Sequence, residues 1–386
     1  MFSGQTISLL GTWSQSLAIS WLVWKMTNSA AWLGAIGFMI QFPMLILGLV
    51  GGVFADRYDR RKALVVLQVL CMLQAVGLAA LTLTGRVELW HVFALSLFLG
   101  CVYAFEFPVR QAFVMDVVGR EDLLNAVSLN SAMLHGTRVA GPMIAGFIVA
   151  WRGEGICFLF NSLTFIGFIT ALLMMDSSKL TQIKVENQPF IKSVVDALKH
   201  FRGDKRIILA TSLMGLVALL GMPFIYLMPI FADQVFHGGA VELGWLMGAS
   251  AFGSLIGAIF LANRNSSEGL LSLGAASLIC SSFALIIFSG MKNIWLAMLT
   301  IAAASIFLTI TISSCITLLQ HYSPDQLRGR MSSFFTTVFM GFAPVGSLVG
   351  GIIAREVGAP TTILMCGIAS IILNIGTLFY ARKLDS

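Results

Sequence analysis

Charge is what this sequence has least of. Only 11% of its 386 residues are Asp, Glu, Lys or Arg, while 58% are hydrophobic. A water-soluble domain carries about 25% charged and about 45–50% apolar residues, so that class is excluded. Paired cysteine motifs are missing as well. Cys71, Cys101, Cys157, Cys280, Cys315 and Cys366 all fall inside apolar runs without CxxC spacing, which argues against disulfides, structural zinc and redox work. No loop holds a Walker-type phosphate motif, a metal-ligand cluster or a nucleophile–base pair, so neither ATP drive, a cofactor nor enzymatic catalysis is expected. No Lys or Arg precedes the first apolar stretch, which continues past Trp21 and Trp24, so it does not read as a signal peptide.

What is there is a series of long apolar runs. The rest can be organised around the stretch between two of them: Gly51-Gly52-Val53-Phe54-Ala55-Asp56-Arg57-Tyr58-Asp59-Arg60-Arg61-Lys62 packs six charges between two stretches that hold none. Each flanking stretch is long enough to cross a hydrocarbon layer of about 30 Å as a helix. The fold class predicted is therefore an all-α polytopic membrane protein with twelve transmembrane helices. The spans fall at roughly 4–24, 32–54, 63–84, 88–107, 123–150, 155–175, 207–232, 243–262, 269–289, 293–319, 331–354 and 361–381. One long polar segment, 176–206, divides the chain into halves 1–175 and 207–386, and its Phe190–Phe201 part reads as a short amphipathic surface helix.

The net charge of +6 is read as orientation rather than nucleic-acid affinity. With the N-terminus inside, eighteen of the 24 Lys and Arg lie on the cytoplasmic side and five outside; Arg138 alone lies within a span. Twelve spans with both termini cytoplasmic fit that bias. The halves also repeat at about 204–205 residues: Asn125-Ala126-Val127-Ser128 precedes Gly329-Arg330-Met331-Ser332, and Gly48 and Gly52 precede Gly253 and Gly257. Such a period implies two six-helix bundles with a site between them. On this offset the seventh span maps back to about residue 2, which implies a shortened N-terminal lead-in or a late start.

At this point the residues resemble a family. Twelve spans as six plus six, a long central loop and the run Gly52-x-x-x-Asp56-Arg57-x-x-Arg60-Arg61 are similar to the major facilitator superfamily and its cytoplasmic loop signature, with Asp59 where a Gly is usual. Gly136, Gly141, Pro142 and Gly146 resemble the superfamily's glycine–proline antiporter signature, which implies export. The stretch from Ala104 to Phe113, with Leu124 to Ser131, resembles the enterobactin-exporter-like efflux subgroup. The arginine that drug antiporters often carry in the fourth span is missing between His91 and Phe105.

The candidate switch residues are Gly52, Asp56, Arg57, Arg60, Arg61 and Asp116. The arginines alone could be ordinary topology anchors, but a carboxylate adds nothing to topology. An Asp near a helix N-terminus gains about 0.3–2 kcal/mol. Asp56 is therefore expected to dock on the start of the eleventh span when the outer side is open, with Arg60 or Arg61 pairing with Asp116 or Glu106. Proton-coupling candidates are Glu106, Asp116, His135 and Arg138. A solvated loop charge is the alternative for the two acids, and packing is the alternative for His135. Arg138 reads either as a snorkelling or carbonyl-paired structural residue, or as a contact for a substrate anion or part of the coupling network. Gly136, Gly141, Pro142 and Gly146 read as small-residue packing that could also seal the pathway.

The resemblance places the first, fourth, seventh and tenth spans at the centre. There Gln5, Thr12, Gln15, His91, Tyr103 and Tyr226 are cavity candidates, unless they face lipid or the core. The function implied is a secondary active exporter in the inner (plasma) membrane, moving an amphipathic siderophore- or drug-like molecule against inward proton flow. Its partners would be that substrate, protons and lipid, with no nucleic acid, and the chain would act as a monomer. Proton-independent movement of a lipid or metabolite, and a non-transporting assembly or sensor protein, remain as alternatives.

Overall fold

A backbone in hydrocarbon must satisfy its own N–H and C=O groups, and each apolar run does so as a helix. The computed structural model describes residues 2–118, 123–175, 204–264, 266, 268–323 and 328–385. Twelve long helices follow in order: α1 Phe2–Thr27, α2 Ala30–Arg57, α3 Arg60–Leu83, α4 Leu89–Val118, α5 Leu123–Arg152 and α6 Glu154–Leu173. The second half comprises α7 Lys205–Val235, α8 Ala240–Ala262, α9 Leu270–Ser289, α10 Ile294–Tyr322, α11 Arg328–Val357 and α12 Ala359–Asp385. No strand occurs among the described residues. The expected amphipathic helix at 190–201, and all but the last residues of the 176–206 linker, lie outside the described residues.

Eleven of the twelve are long and apolar enough to cross a membrane. The exception is α1, whose Gln5, Ser8, Ser14 and Gln15 are buried against neighbouring helices. Gln5, Ser14 and Gln15 each donate to a neighbouring helix, which offsets part of the penalty lipid would impose. Helix starts are set by local chemistry. The Asp59 carboxylate accepts from Lys62 N at 3.0 Å and caps α3, so the residue that replaces the usual loop Gly holds the turn by a side-chain bond. Asp204 caps α7 and Asn293 caps α10 in the same way.

Two boundaries differ from the sequence expectation. The fourth helix does not stop at 107 but runs through Pro108 to Val118, carrying Arg110 and Asp116 on its last turns. The seventh crosses from 205 to 235 but is broken at Met222, after a π turn at Val217–Gly221, and ends in a second π turn at Phe231–Val235. A π turn shifts the helix face on either side of it and often marks a functional position. Between these two turns sits Tyr226.

Packing repeats across the halves. In the first half, α2 packs on α4, and α3 packs on both α4 and α6. In the second half, α8 packs on α10, and α9 on both α10 and α12. Glycines permit the closest of these approaches: Gly51 meets the Ala104 backbone, and Gly253 meets the Ala302 backbone.

Candidate functional site

Three groups of residues lie where the halves meet or part. The first closes the end that carries the α1–α2 turn. Here α2 runs antiparallel to α11, with Gly34 against Gly351 backbone to backbone and Ser347 Oγ donating to Gly34 O at 3.3 Å. On the other flank α5 meets α8 through Gly146 on Ala240 and Gly244 on Pro142 O. Polar bonds reinforce the closure: Trp24 Nε1 donates to Asp233 Oδ2 at 2.9 Å, and Gln41 Nε2 donates to the Tyr226 hydroxyl at 2.7 Å. The Tyr226 ring also lies over Gly37, where any Cβ would collide with it. Tyr226, a cavity candidate, is thus a contact between halves in this conformation.

The same α2 stripe is empty toward its other end. Beyond Leu45, which touches Gly341, Gly48 meets only Met44 of its own helix. Among the described residues nothing lies within 4 Å of the position a Gly52 Cβ would take. One more turn along, Asp56 is exposed over 42% of its side chain and meets Arg60 at 3.7 Å. Extending the antiparallel pairing of Gly34 with Gly351 and Leu45 with Gly341 would bring Asp56 opposite the start of α11.

The second group is the basic cluster at that end. Arg60 is buried: Nη1 donates to Asp116 Oδ1 at 2.6 Å, and Nε donates to Ala55 O at 3.0 Å. Arg61 does not pair with either acid. It donates to Leu172 O at 2.7 Å and Leu173 O at 2.6 Å, capping carbonyls at the end of α6. Arg57 is exposed. Glu106 is buried, 3.4 Å from Arg110, and accepts from Gln68 Nε2 at 3.2 Å. Both candidate acids therefore have a cation beside them.

The third group lies mid-bundle. Arg138 on α5 sits over the Trp13 ring of α1, its guanidinium carbon 5.4 Å from the ring centroid. It is partly exposed, and no carboxylate among the described residues pairs with it. Burying an arginine mid-membrane costs about 2.5–3.5 kcal/mol on insertion scales. A cation–π contact returns about 0.5–2 kcal/mol, so the ring alone does not compensate the charge. His135 lies one turn away and is also half-buried. Tyr103 of α4 faces Thr12 of α1, its hydroxyl interacting with the threonine side chain. Gly141 lets α5 close on Trp13 and Leu10, and Ser14 Oγ donates to Gly141 O at 3.0 Å. Gly136 has open space beside it among the described residues.

Three cavity candidates are placed elsewhere. Gln15 is buried in an amide chain, donating to Gln74 Oε1 at 2.9 Å and accepting from Asn161 Nδ2 at 2.8 Å. This ties α1 to α3 and α6. Gln5 is buried as well and donates to Asn130 Oδ1 at 3.1 Å. His91 stands at the first turn of α4, stacked on Trp90, where its Nδ1 accepts from Glu88 N at 3.1 Å. That is a helix-start position, far along α4 from the centre. Sequence reading missed Gln41, Asp233, Gln74 and Asn161. The signal available for each was a polar side chain within or at the edge of an apolar span, which in hydrocarbon needs a partner.

No group of three His, Cys, Asp or Glu that could hold a metal ion occurs among the described residues. Comparison with known proteins then adds an independent line. The profile of a family described as "Transmembrane secretion effector" matches residues 1–386. The chain is 27% identical to the staphyloferrin A transporter of Staphylococcus aureus, over 99% of this chain and 96% of that one. It is 28% identical to the enterobactin exporter of Salmonella typhimurium, over 91% of this chain and 84% of that one. Among solved structures it resembles a bacterial homologue of the human lysosomal transporter Spinster, with TM-score 0.76, 13% identity and 99% and 96% of the two chains covered. A bacterial homologue of the iron transporter ferroportin gives 0.71, 16% identity and coverage of 98% and 97%.

Proposed function

Since this chain belongs to the transmembrane secretion effector family of the major facilitator superfamily, we propose that it is a secondary active exporter of amphipathic, siderophore- or drug-like small molecules. It is a multi-pass membrane transporter and not an enzyme. The finer reading is export by alternating access, coupled to inward proton flow, across the inner (plasma) membrane with both termini in the cytoplasm. The two bundles 1–175 and 207–386 are the moving units in this reading, and one chain suffices.

A single observation carries it. The α2 glycine stripe is packed at one end, Gly34 on Gly351 and Gly37 under Tyr226, and among the described residues it is unpacked at Gly48 and Gly52. A rigid assembly has no reason to keep small residues where nothing approaches. A rocking carrier does, because the same stripe must close when the halves tilt the other way. The Lys/Arg bias supports placing the unpacked end at the cytoplasm, so the conformation described is open inward. Siderophore-like cargo is supported by what the two named relatives are called, and export by the α5 glycine–proline stretch together with the exporter among those relatives.

Export is tested in everted vesicles with a panel of siderophores and amphipathic drugs, with and without an imposed proton gradient. Accumulation of a panel member that collapses with the gradient is expected. Accumulation that persists without it would replace antiport by proton-independent movement, and no accumulation of any member would remove the exporter reading.

A further inference from the structure

We propose that Arg138 and Trp13 form the seat for an anionic oxygen of the substrate, a carboxylate above all, so that the carrier selects acidic amphipaths over neutral or cationic ones. This rests on the exporter reading and adds the chemical class of its cargo.

The position of Arg138 comes first. Along α5, Gly141 turns to α1, where it meets Trp13 and Leu10, while Val139, Pro142, Met143 and Gly146 turn to α8 of the other half. At 100° per residue Arg138 falls between those two faces, on the side that looks into the space between halves. It also sits next to Val139, whose carbonyl faces Gly248 of α8. Arg138 therefore stands at the inner limit of the closed end, next to open space and partly exposed.

Its surroundings offer donors and no acceptor charge. The guanidinium lies over the Trp13 face, 5.4 Å from the centroid, which orients it without neutralising it. The indole Nε1–H of that same tryptophan is buried and has no hydrogen-bond partner. Thus two neighbouring groups each want an acceptor, and one carboxylate presents two oxygens to supply it. The other basic side chains near the interior are already committed: Arg60 to Asp116 and Arg110 to Glu106. Arg138 is the cation of this region with no carboxylate beside it among the described residues. A planar guanidinium held on a ring matches a carboxylate bidentately, a geometry that an ammonium group cannot copy.

The test uses the full-length protein in phosphatidylcholine nanodiscs, with dansylglycine as an acidic amphipath and its methyl ester as the matched neutral probe. The wild type is expected to bind the acid at least tenfold more tightly than the ester. Arg138→Gln should abolish that preference, Arg138→Lys should retain only part of it, and Trp13→Phe should weaken acid binding several-fold. Equal affinity for the two probes, binding of neither, or a preference that survives Arg138→Gln overturns the assignment; a Lys variant as selective as wild type overturns the bidentate geometry. Nanodiscs containing phosphatidylglycerol form a further arm, because loss of acid preference there would make the seat a lipid-headgroup site instead. Everted-vesicle uptake of the same probes separates this from the exporter reading. Selective binding without uptake would keep the seat and remove export, while uptake of acid and ester alike would do the reverse.

Discussion

The Arg60 guanidinium stands between two carboxylates from different helices, 2.6 Å from Asp116 on α4 and 3.7 Å from Asp56 on α2. Only Asp116 is buried with it; Asp56 keeps 42% of its side chain in solvent. The two acids therefore have different jobs. Asp116 fixes the arginine, and Asp56 remains available for another partner. Leaving a buried charge alone costs about 3–5 kcal/mol. Asp116→Leu should lower the thermal-shift midpoint of the purified protein, and Asp116→Leu with Arg60→Leu should recover much of it. If the double variant melts no higher than the single, the pair is not what holds these helices.

Asp56→Asn should leave membrane abundance unchanged and slow export. An Asp at a helix start gains about 0.3–2 kcal/mol, which biases two conformers by roughly two- to thirtyfold. Transport measured in vesicles at matched protein levels checks this. A rate equal to wild type removes Asp56 as a latch onto α11.

Gly48→Leu and Gly52→Leu should trap the inward-open form. A Cβ at either position meets no obstacle among the described residues here, yet a leucine at either would block closure of α2 on α11. Spin-label distances between the Asp56 end of α2 and the start of α11 should lose their short population, with transport abolished and thermal stability kept. A short-distance population equal to wild type would refute the closing motion.

Trp24→Phe removes the N–H that reaches Asp233 across the halves. A hydrogen bond to a charged group contributes about 1.5–3 kcal/mol, so the closed end should loosen. Spin labels at Ser29 on α2's entry and Val357 at α11's end should then show a longer, broader distance distribution. No change would mean that the glycine contacts alone hold that end shut.

Glu106→Gln should flatten the pH dependence of export and lower thermal stability, since Gln can still accept from Gln68 while Arg110 loses its carboxylate. Uptake rates in everted vesicles at stepped external pH measure it. A profile parallel to wild type takes Glu106 out of proton coupling.

The twelve helices were legible because hydrocarbon leaves the chain so few options: an uncharged run near twenty residues must span, and a cluster such as Asp56–Lys62 must lie outside. The continuation of α4 through Pro108 was not legible, because a proline before two charged residues reads as a helix end when only local pattern is weighed. The π turns of α7 leave no mark in apolar content at all. Site residues divided by the same logic. Asp116 could be paired with an arginine on charge alone. Gln15 could not be told from a cavity residue, since a buried amide and a substrate-facing amide look alike until Gln74 and Asn161 appear beside it.

Gly52 carries a warning for anyone engineering this scaffold. A helix gains about 1 kcal/mol when an interior glycine becomes alanine, and the hollow beside this one would accept the methyl. Screening variants for heat resistance would therefore reward filling it, and would enrich proteins that melt later and move nothing. Durability and throughput should diverge along α2 from Gly48 onward, and coincide at Gly34, where the backbone of α11 already fills the space.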